Sequence, residues 1–239
     1  MLAIGLLYAF QESTLEGKII LLALFFASIF SWSVMVTKIR VLQQAKRRSR
    51  QFASIFRRDR NPLHVFERGI SFEGSPLFEI YEAGCKELCL QMLGSTDVDD
   101  TYAARLESAE KISPSQMRAV EAAMERAVGE SALKLEAQMI ILSTAVSGAP
   151  FLGLLGTVWG VMDAFSGVAQ AGSANLSAMA PGVAGALITT VTGLLVAIPA
   201  MFGYNFLVVS VRSMVVRCEN FSAELASAFD HHFVEYDGR

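Results

Sequence analysis

Ala149–Ser210 reads APFLGLLGTVWGVMDAFSGVAQAGSANLSAMAPGVAGALITTVTGLLVAIPAMFGYNFLVVS, and this stretch decides the fold. It consists of two apolar segments that flank a short connector of small, uncharged residues. Glycine, threonine and proline recur where a helix facing lipid would carry leucine or isoleucine. Small residues of this kind allow membrane helices to approach each other closely. The stretch therefore predicts a helical hairpin packed on protein around a polar feature.

The composition outside this hairpin also indicates a membrane protein. The chain has 239 residues, a mean hydropathy of +0.42 and 18% charged residues, whereas soluble domains carry about 25%. Charged residues are absent from 138–162 and from 164–211. The net charge of −3 gives no general electrostatic support to nucleic-acid binding, so no nucleic-acid partner is expected.

Hydropathy predicts three membrane spans. Residues 19–37, IILLALFFASIFSWSVMVT, contain no charge and are long enough to cross a bilayer core. The second span is predicted at 139–165 and the third at 179–211, joined by a short periplasmic connector at 166–178. Residues 1–18 form an N-terminal segment on the periplasmic side or in the membrane interface.

Basic residues set the predicted orientation. Nine lysines and arginines lie in 38–60, immediately after the first span, whereas Lys18 is the only basic residue before it. The positive-inside rule places the N-terminus outside and the following segment in the cytoplasm. A basic run can also bind RNA, but its position beside a span favours topology and contact with lipid headgroups. Residues 38–138 are then a cytoplasmic helical domain and 212–239 a cytoplasmic tail.

Helix signals fill the cytoplasmic domain. Ser75-Pro76 opens an amphipathic helix that Gly94 ends, and Ser113-Pro114 with Gln116 has the pattern of a capping box. Because no stop signal follows, we expect the second of these helices to continue through the second span as one rod. The predicted fold is an all-α integral membrane protein with three transmembrane helices, the second and third long and extending into a cytoplasmic helical domain.

Small residues and prolines mark the predicted packing faces and kinks of the second and third spans. They are Gly153, Gly156, Gly160, Pro181, Gly182, Gly185, Gly193 and Pro199.

The sequence contains no motif for enzyme catalysis, so no catalytic residue is predicted. Cys85 and Cys89 are spaced by four residues, but helix packing explains them better than a metal site, and no metal or cofactor is expected. The polar groups of the hairpin are threonine hydroxyls. Threonines of membrane helices usually bond to a carbonyl one turn back. Thr157 and Thr190, on helices rich in small residues, are the stronger candidates for a functional role.

The hairpin resembles the TolQ/ExbB proton-channel family, which is related to MotA. The resemblance rests on APFLGLLGTVWGVMDAF and APGVAGALITTVTGLLVAIPAMFGYN. FSWSVMVTKIRVL and GSPLFEIYEAGCKEL lean towards TolQ, and SGVAQAGSANL leans towards ExbB. By matching motifs, the resemblance implies that Thr157 and Thr190 belong to a proton pathway or line a pore, and the adjacent Thr189 is a further candidate. Pro181 and Pro199 match prolines that break helices in the family.

The resemblance also implies partners and a location. It implies a homopentamer in the bacterial inner membrane that surrounds two transmembrane helices of a single-span partner like TolR or ExbD, which supplies a membrane aspartate. Protons, rather than a bound cofactor, are then the coupling ion. Gly185 stands where such proteins commonly carry glutamate, so either that carboxylate is dispensable or the proton path differs, with Asp163 as a candidate replacement.

Two functional hypotheses remain. The first is a proton-channel or stator subunit of a motor driven by the proton-motive force, in a Tol-Pal-like or TonB-like system that energises envelope processes. The alternative is a non-conducting membrane scaffold that assembles export or division components. A neighbouring gene for a one-span protein with a membrane aspartate would favour the motor.

Overall fold

The computed structural model describes residues 15–59, 61–95, 105–106, 108–171 and 176–235. In these residues the chain forms α1 (Leu15–Phe56), α2 (His64–Glu67), α3 (Pro76–Leu93), α4 (Pro114–Glu136), α5 (Met139–Ala171) and α6 (Leu176–Phe233). The described residues contain no β-strand, and Ile112 pairs with Val234 in an isolated bridge. Helices α1, α5 and α6 are long and apolar enough to cross a membrane. The predicted all-α membrane fold is confirmed.

The helices extend beyond the predicted spans. Helix α1 contains 19–37 and continues into the basic run, and α6 contains 179–211 and continues to Phe233. Helix α5 ends at Ala171, so the first part of the predicted connector at 166–178 is helical; no proline stops the helix there. Most of the predicted N-terminal segment at 1–18 lies outside the described residues.

The predicted continuous rod through the second span is wrong. Helix α4 ends at Glu136, Ala137 has an extended backbone, and Gln138 has a φ of 66° before α5 begins at Met139. The Ala137 N–H still bonds to the Leu133 carbonyl at 2.9 Å, so the chain leaves the helix with that donor satisfied. A left-handed Gln138 has no glycine or asparagine signal in the sequence, which is why the break was not predicted.

Contacts between residues divide the chain into two compact units. The membrane unit comprises residues up to Ile39 together with Gln138–Val208. Within it, Ile20 and Leu24 of α1 pack in one apolar cluster with Ala149 of α5 and with Val196 and Ala197 of α6. All three membrane-crossing helices therefore contribute to one core.

The polar unit comprises Arg40–Ala137 and residues from Val209 onward. The Phe52 side chain is fully buried and is surrounded by aromatic rings with centroids 5.2–6.1 Å away. Among the described residues these rings belong to Phe56, Phe72, Phe78, Tyr81 and Phe221. The predicted caps are confirmed: Ser75 and Ser113 cap α3 and α4, Ser113 forms a capping box with Gln116, and Gly94 ends α3 with a φ of 68°.

Two buried groups of the polar unit have shifted pKa values. The Tyr81 hydroxyl donates to the Pro62 carbonyl at 2.8 Å and accepts from the Phe66 N–H at 3.0 Å, and burial raises its pKa. Burial also raises the pKa of the Cys218 thiol to about 12. Both groups are therefore neutral at physiological pH and act in packing.

Candidate functional site

Glycines hold α5 and α6 in close contact within the membrane unit. A Cβ atom placed on Gly153 would lie 2.9 Å from the Thr189 carbonyl oxygen, and one on Gly160 would lie 2.8 Å from the Ala186 Cβ. A Cβ on Gly156 would overlap the Thr189 side chain. The predicted small-residue face of the second span therefore packs against the third span of the same chain.

The third span contributes glycines to the same interface. A Cβ on Gly193 would lie 2.6 Å from the Ala149 carbonyl oxygen, and one on Gly182 would lie 3.2 Å from the Ala164 Cβ. Gly185 is also buried. Helix α6 continues through Pro181 and Pro199, which both lie inside it.

Three threonine hydroxyls meet at this interface and form the threonine cluster, composed of Thr157, Thr189 and Thr190. The hydroxyls of Thr157 and Thr190 are in direct hydrogen-bonding contact across the two helices. Thr190 Oγ1 also donates to the Gly153 carbonyl at 3.0 Å, and Thr157 Oγ1 lies 3.1 Å from the Ala186 carbonyl. The cluster thus adds hydrogen bonds between the two helices to the usual bonds of threonines within their own helix.

The three hydroxyls differ in exposure. Thr189 is 1% exposed and donates to the Ala186 carbonyl at 2.6 Å, whereas Thr157 and Thr190 are only partly buried. The hydroxyls of Thr157 and Thr190 are therefore within reach of a group from outside the chain. The role of Thr189 in a proton pathway stays a prediction; in this structure its hydroxyl lies between α5 and α6.

The other threonines and serines of the spans bond locally. Thr192 Oγ1 donates to the Ile188 carbonyl at 2.8 Å, and Thr144 and Ser147 likewise bond to carbonyls one turn back. This is the usual arrangement of a hydroxyl side chain on a membrane helix. The contrast singles out the threonine cluster as the polar feature around which the hairpin packs.

The chemistry available at the threonine cluster is hydrogen bonding without ionisation. Its members are hydroxyl groups and the carbonyls of Gly153 and Ala186. Such groups can orient a carboxylic acid or a water molecule through hydrogen bonds, but a threonine hydroxyl does not ionise near neutral pH. Asp163 is half-buried and lies six residues after Thr157 on α5. The described residues contain no group of His, Cys, Asp and Glu that could hold a metal ion.

Sequence reasoning missed two contributions to the hairpin. The carbonyls of Gly153 and Ala186 accept hydrogen bonds from the threonine hydroxyls. Of these two residues, the sequence pattern had marked only Gly153, as a packing residue. Gly203 lies against Met35 of α1, so closely that a Cβ would overlap the thioether. The glycine in AMFGYN indicates a close approach of another helix, but nothing in the sequence of α1 marks Met35 as its partner.

These features define an integral membrane protein of three spans, with a hydroxyl cluster at the contact of the second and third spans and no ionisable group within that cluster. Residues 95–220 match the MotA/TolQ/ExbB proton channel family, and the chain belongs to that family. This is a proton-channel family rather than an enzyme family, and with the three apolar helices it indicates an inner-membrane protein.

Several characterised relatives align over most of the chain. The Tol-Pal system protein TolQ of Haemophilus influenzae is 33% identical over 91% of this chain and 90% of the relative. TolQ of Pseudomonas aeruginosa is 32% identical over 82% of this chain and 79% of the relative. The biopolymer transport protein ExbB of Pseudomonas putida is 31% identical over 90% of this chain and 60% of the relative. The predicted family, with its lean towards TolQ, is confirmed.

Proposed function

We propose that the chain is the proton-channel subunit of a motor driven by the proton-motive force, in a Tol-Pal-like or TonB-like system of the bacterial inner membrane. The observation that carries the proposal is the contact of the Thr157 and Thr190 hydroxyls across α5 and α6. Both residues are partly exposed, so a polar group from another chain can reach them. Family membership supports conduction of protons as the outcome.

A partner has to supply the proton carrier. The threonine cluster contains no carboxylate, and Gly185, at the position where the family resemblance implies glutamate, adds none. A single-span protein like TolR or ExbD with a membrane aspartate fits this need, because a neutral carboxylic acid can exchange hydrogen bonds with the two hydroxyls. The proposed assembly is a pentamer around this partner, with the N-terminus periplasmic and the C-terminus cytoplasmic.

The energetics of such a carrier favour movement when it is neutral. An ionised carboxylate costs several kcal/mol to bury among apolar side chains, and protonation removes most of this cost. Each proton that crosses a potential of 100 mV supplies about 2.3 kcal/mol. The aspartate can therefore pass from one threonine cluster to the next while protonated, which turns the partner relative to the ring and transmits force to the cell envelope.

Proton flux in vesicles that contain the chain and its partner tests the proposal. Thr190→Val keeps the shape of the side chain but removes the hydroxyl that bonds to Gly153 and contacts Thr157. Thr192→Val is the matched control, because among the described residues the Thr192 hydroxyl bonds within its own helix, to the Ile188 carbonyl. We expect Thr190→Val to abolish most of the flux and Thr192→Val to leave it near the wild-type value, with both variants assembled.

Equal flux in the wild-type chain and in Thr190→Val would refute the role of the threonine cluster. An assembled wild-type complex that conducts no protons at all would instead favour the non-conducting scaffold.

A further inference from the structure

A basic cleft lies between α1 and α6 within the polar unit. It has a volume of about 360 Å³. The charged and amide side chains that line it are Lys46, Arg50, Arg57, Arg217, Asn220 and Glu224. Four cations and one carboxylate give the cleft a net charge of +3. The cations come from two different helices, so the fold, and not only the basic run of the sequence, concentrates them.

One of the four cations is already paired. The Arg57 guanidinium donates from Nε to Glu224 Oε1 at 2.9 Å and from Nη2 to Oε2 at 2.8 Å. This bidentate pair fixes one wall of the cleft and neutralises one charge. Among the described residues, Lys46, Arg50 and Arg217 have no carboxylate within ion-pair distance. Three positive charges therefore face the cleft without a counterion from the described chain.

An anion in the cleft would relieve repulsion between these cations. Lys46 and Arg50 are four residues apart on α1, a spacing at which like charges repel on one helix face. Arg217 adds a third cation from α6. Guanidinium groups bind phosphate oxygens through paired N–H donors, and lysine adds a point charge. A phosphate group supplies both the charge and the several acceptor oxygens that these donors can share.

The position of the cleft in the sequence also points to phosphate. Lys46 follows the apolar run of α1, which ends at Thr37, and Arg217 follows the apolar run of α6, which ends near Val211. Basic side chains that follow membrane spans attract anionic lipid headgroups, at about 1 kcal/mol for each lysine or arginine within roughly 10 Å of the surface. Arg217 comes about 9 Å of helix after Val211 and is the cation of the cleft best placed for this attraction.

We propose that the basic cleft is a phosphate-binding site, filled by the headgroup of an anionic phospholipid or by a free phosphate anion. Arg50 and Arg217 hold the phosphate from opposite helices, and Lys46 and the Asn220 amide add donors. All residues that line the site belong to the polar unit, so its test is a binding measurement that does not depend on proton flux.

Binding to the full-length chain in a zwitterionic detergent tests the site, with dioctanoyl phosphatidylglycerol and inorganic phosphate as separate probes. The double variant Arg50→Gln/Arg217→Gln removes two cations of the cleft. Arg118→Gln/Arg126→Gln is the matched control, since it removes two exposed arginines of α4 outside the cleft. Loss of about 1 kcal/mol per cation raises Kd about five-fold. For two cations we therefore expect Kd to rise about 30-fold in the cleft variant, and less than two-fold in the control.

The two probes distinguish the source of the phosphate. If the lipid binds saturably and inorganic phosphate does not displace it, the site takes a lipid headgroup. If inorganic phosphate displaces the lipid at a similar concentration, the site takes a soluble phosphate anion. Equal weakening in the two double variants, or no saturable binding of either probe, would overturn the proposal. If the glutamine variant melts at a lower temperature than the control, Arg50→Lys/Arg217→Lys is used instead, because it keeps the two positive charges. We expect its affinity for the probe to lie between those of the wild type and the glutamine variant.

Discussion

Replacing Gly193 with alanine measures how closely α5 and α6 have to approach. The new Cβ would lie 2.6 Å from the Ala149 carbonyl oxygen and 3.2 Å from the Gly153 Cα, whereas ordinary carbon–oxygen contacts are about 3.3 Å or longer. Because the nearest atoms belong to the backbone, no side chain can turn away, and the helices have to separate by about 0.7 Å locally. Overpacking of this kind costs about 1–3 kcal/mol.

Thermal unfolding of the purified chain in detergent provides the assay. A cost of 1 kcal/mol lowers Tm by about 2–4 °C for chains of this size, so we expect Gly193→Ala to lower Tm by about 2–12 °C. Gly148→Ala on α5 is the control, because its Cβ would meet nothing within 4 Å, and it should leave Tm unchanged or raise it slightly. Equal melting temperatures for the two variants would refute the inference that close packing of glycine sets this interface.

Three further predictions concern the polar unit. Tyr81→Phe leaves the buried Pro62 carbonyl and the part-buried Phe66 N–H without their hydroxyl partner. The free energy of unfolding measured by chemical denaturation should fall by about 1–3 kcal/mol, and an unchanged value would contradict the loss of these two bonds. The Cys218 pKa is raised from 9.0 to about 12, so the contribution of this thiol to stability is complete below pH 9 and is lost as the pH rises towards 12; thiol labelling of the folded chain should therefore remain slow at pH 9, and rapid labelling there would refute the burial. Arg57→Gln removes an exposed pair with Glu224 and should change stability by less than about 1 kcal/mol, with an effect that shrinks in high salt.

Much of the polar unit follows from local sequence signals. Ser113 and Gln116 form the capping box that their spacing predicts, and Gly94 ends α3 in the left-handed conformation. These features are predictable because each depends on residues within one helical turn. The same reasoning failed at Gln138, where a left-handed residue breaks the expected rod without any local signal.

The glycine spacing of the hairpin predicted close packing but not its partner. Gly153 and Gly160 lie against α6 of the same chain, and a four-residue spacing fits equally well against a neighbouring subunit. Similarly, the motif pointed to Thr157 and Thr190, but only the folded chain shows that their hydroxyls touch while Thr189 is enclosed. Both outcomes depend on how α5 and α6 are rotated about their axes, which no single helix determines.

The sequence alone determined the class of protein, the three spans, the helix caps of the polar unit and the scarcity of charge in the hairpin, where Asp163 is the single charged residue. Each of these properties depends on residues that are close together in the sequence, so hydropathy and capping chemistry predict them directly. Only the tertiary structure decided which hydroxyls meet in the threonine cluster and which four cations converge in the basic cleft. Those sets join residues far apart in the chain, and their members become neighbours only when whole helices pack together.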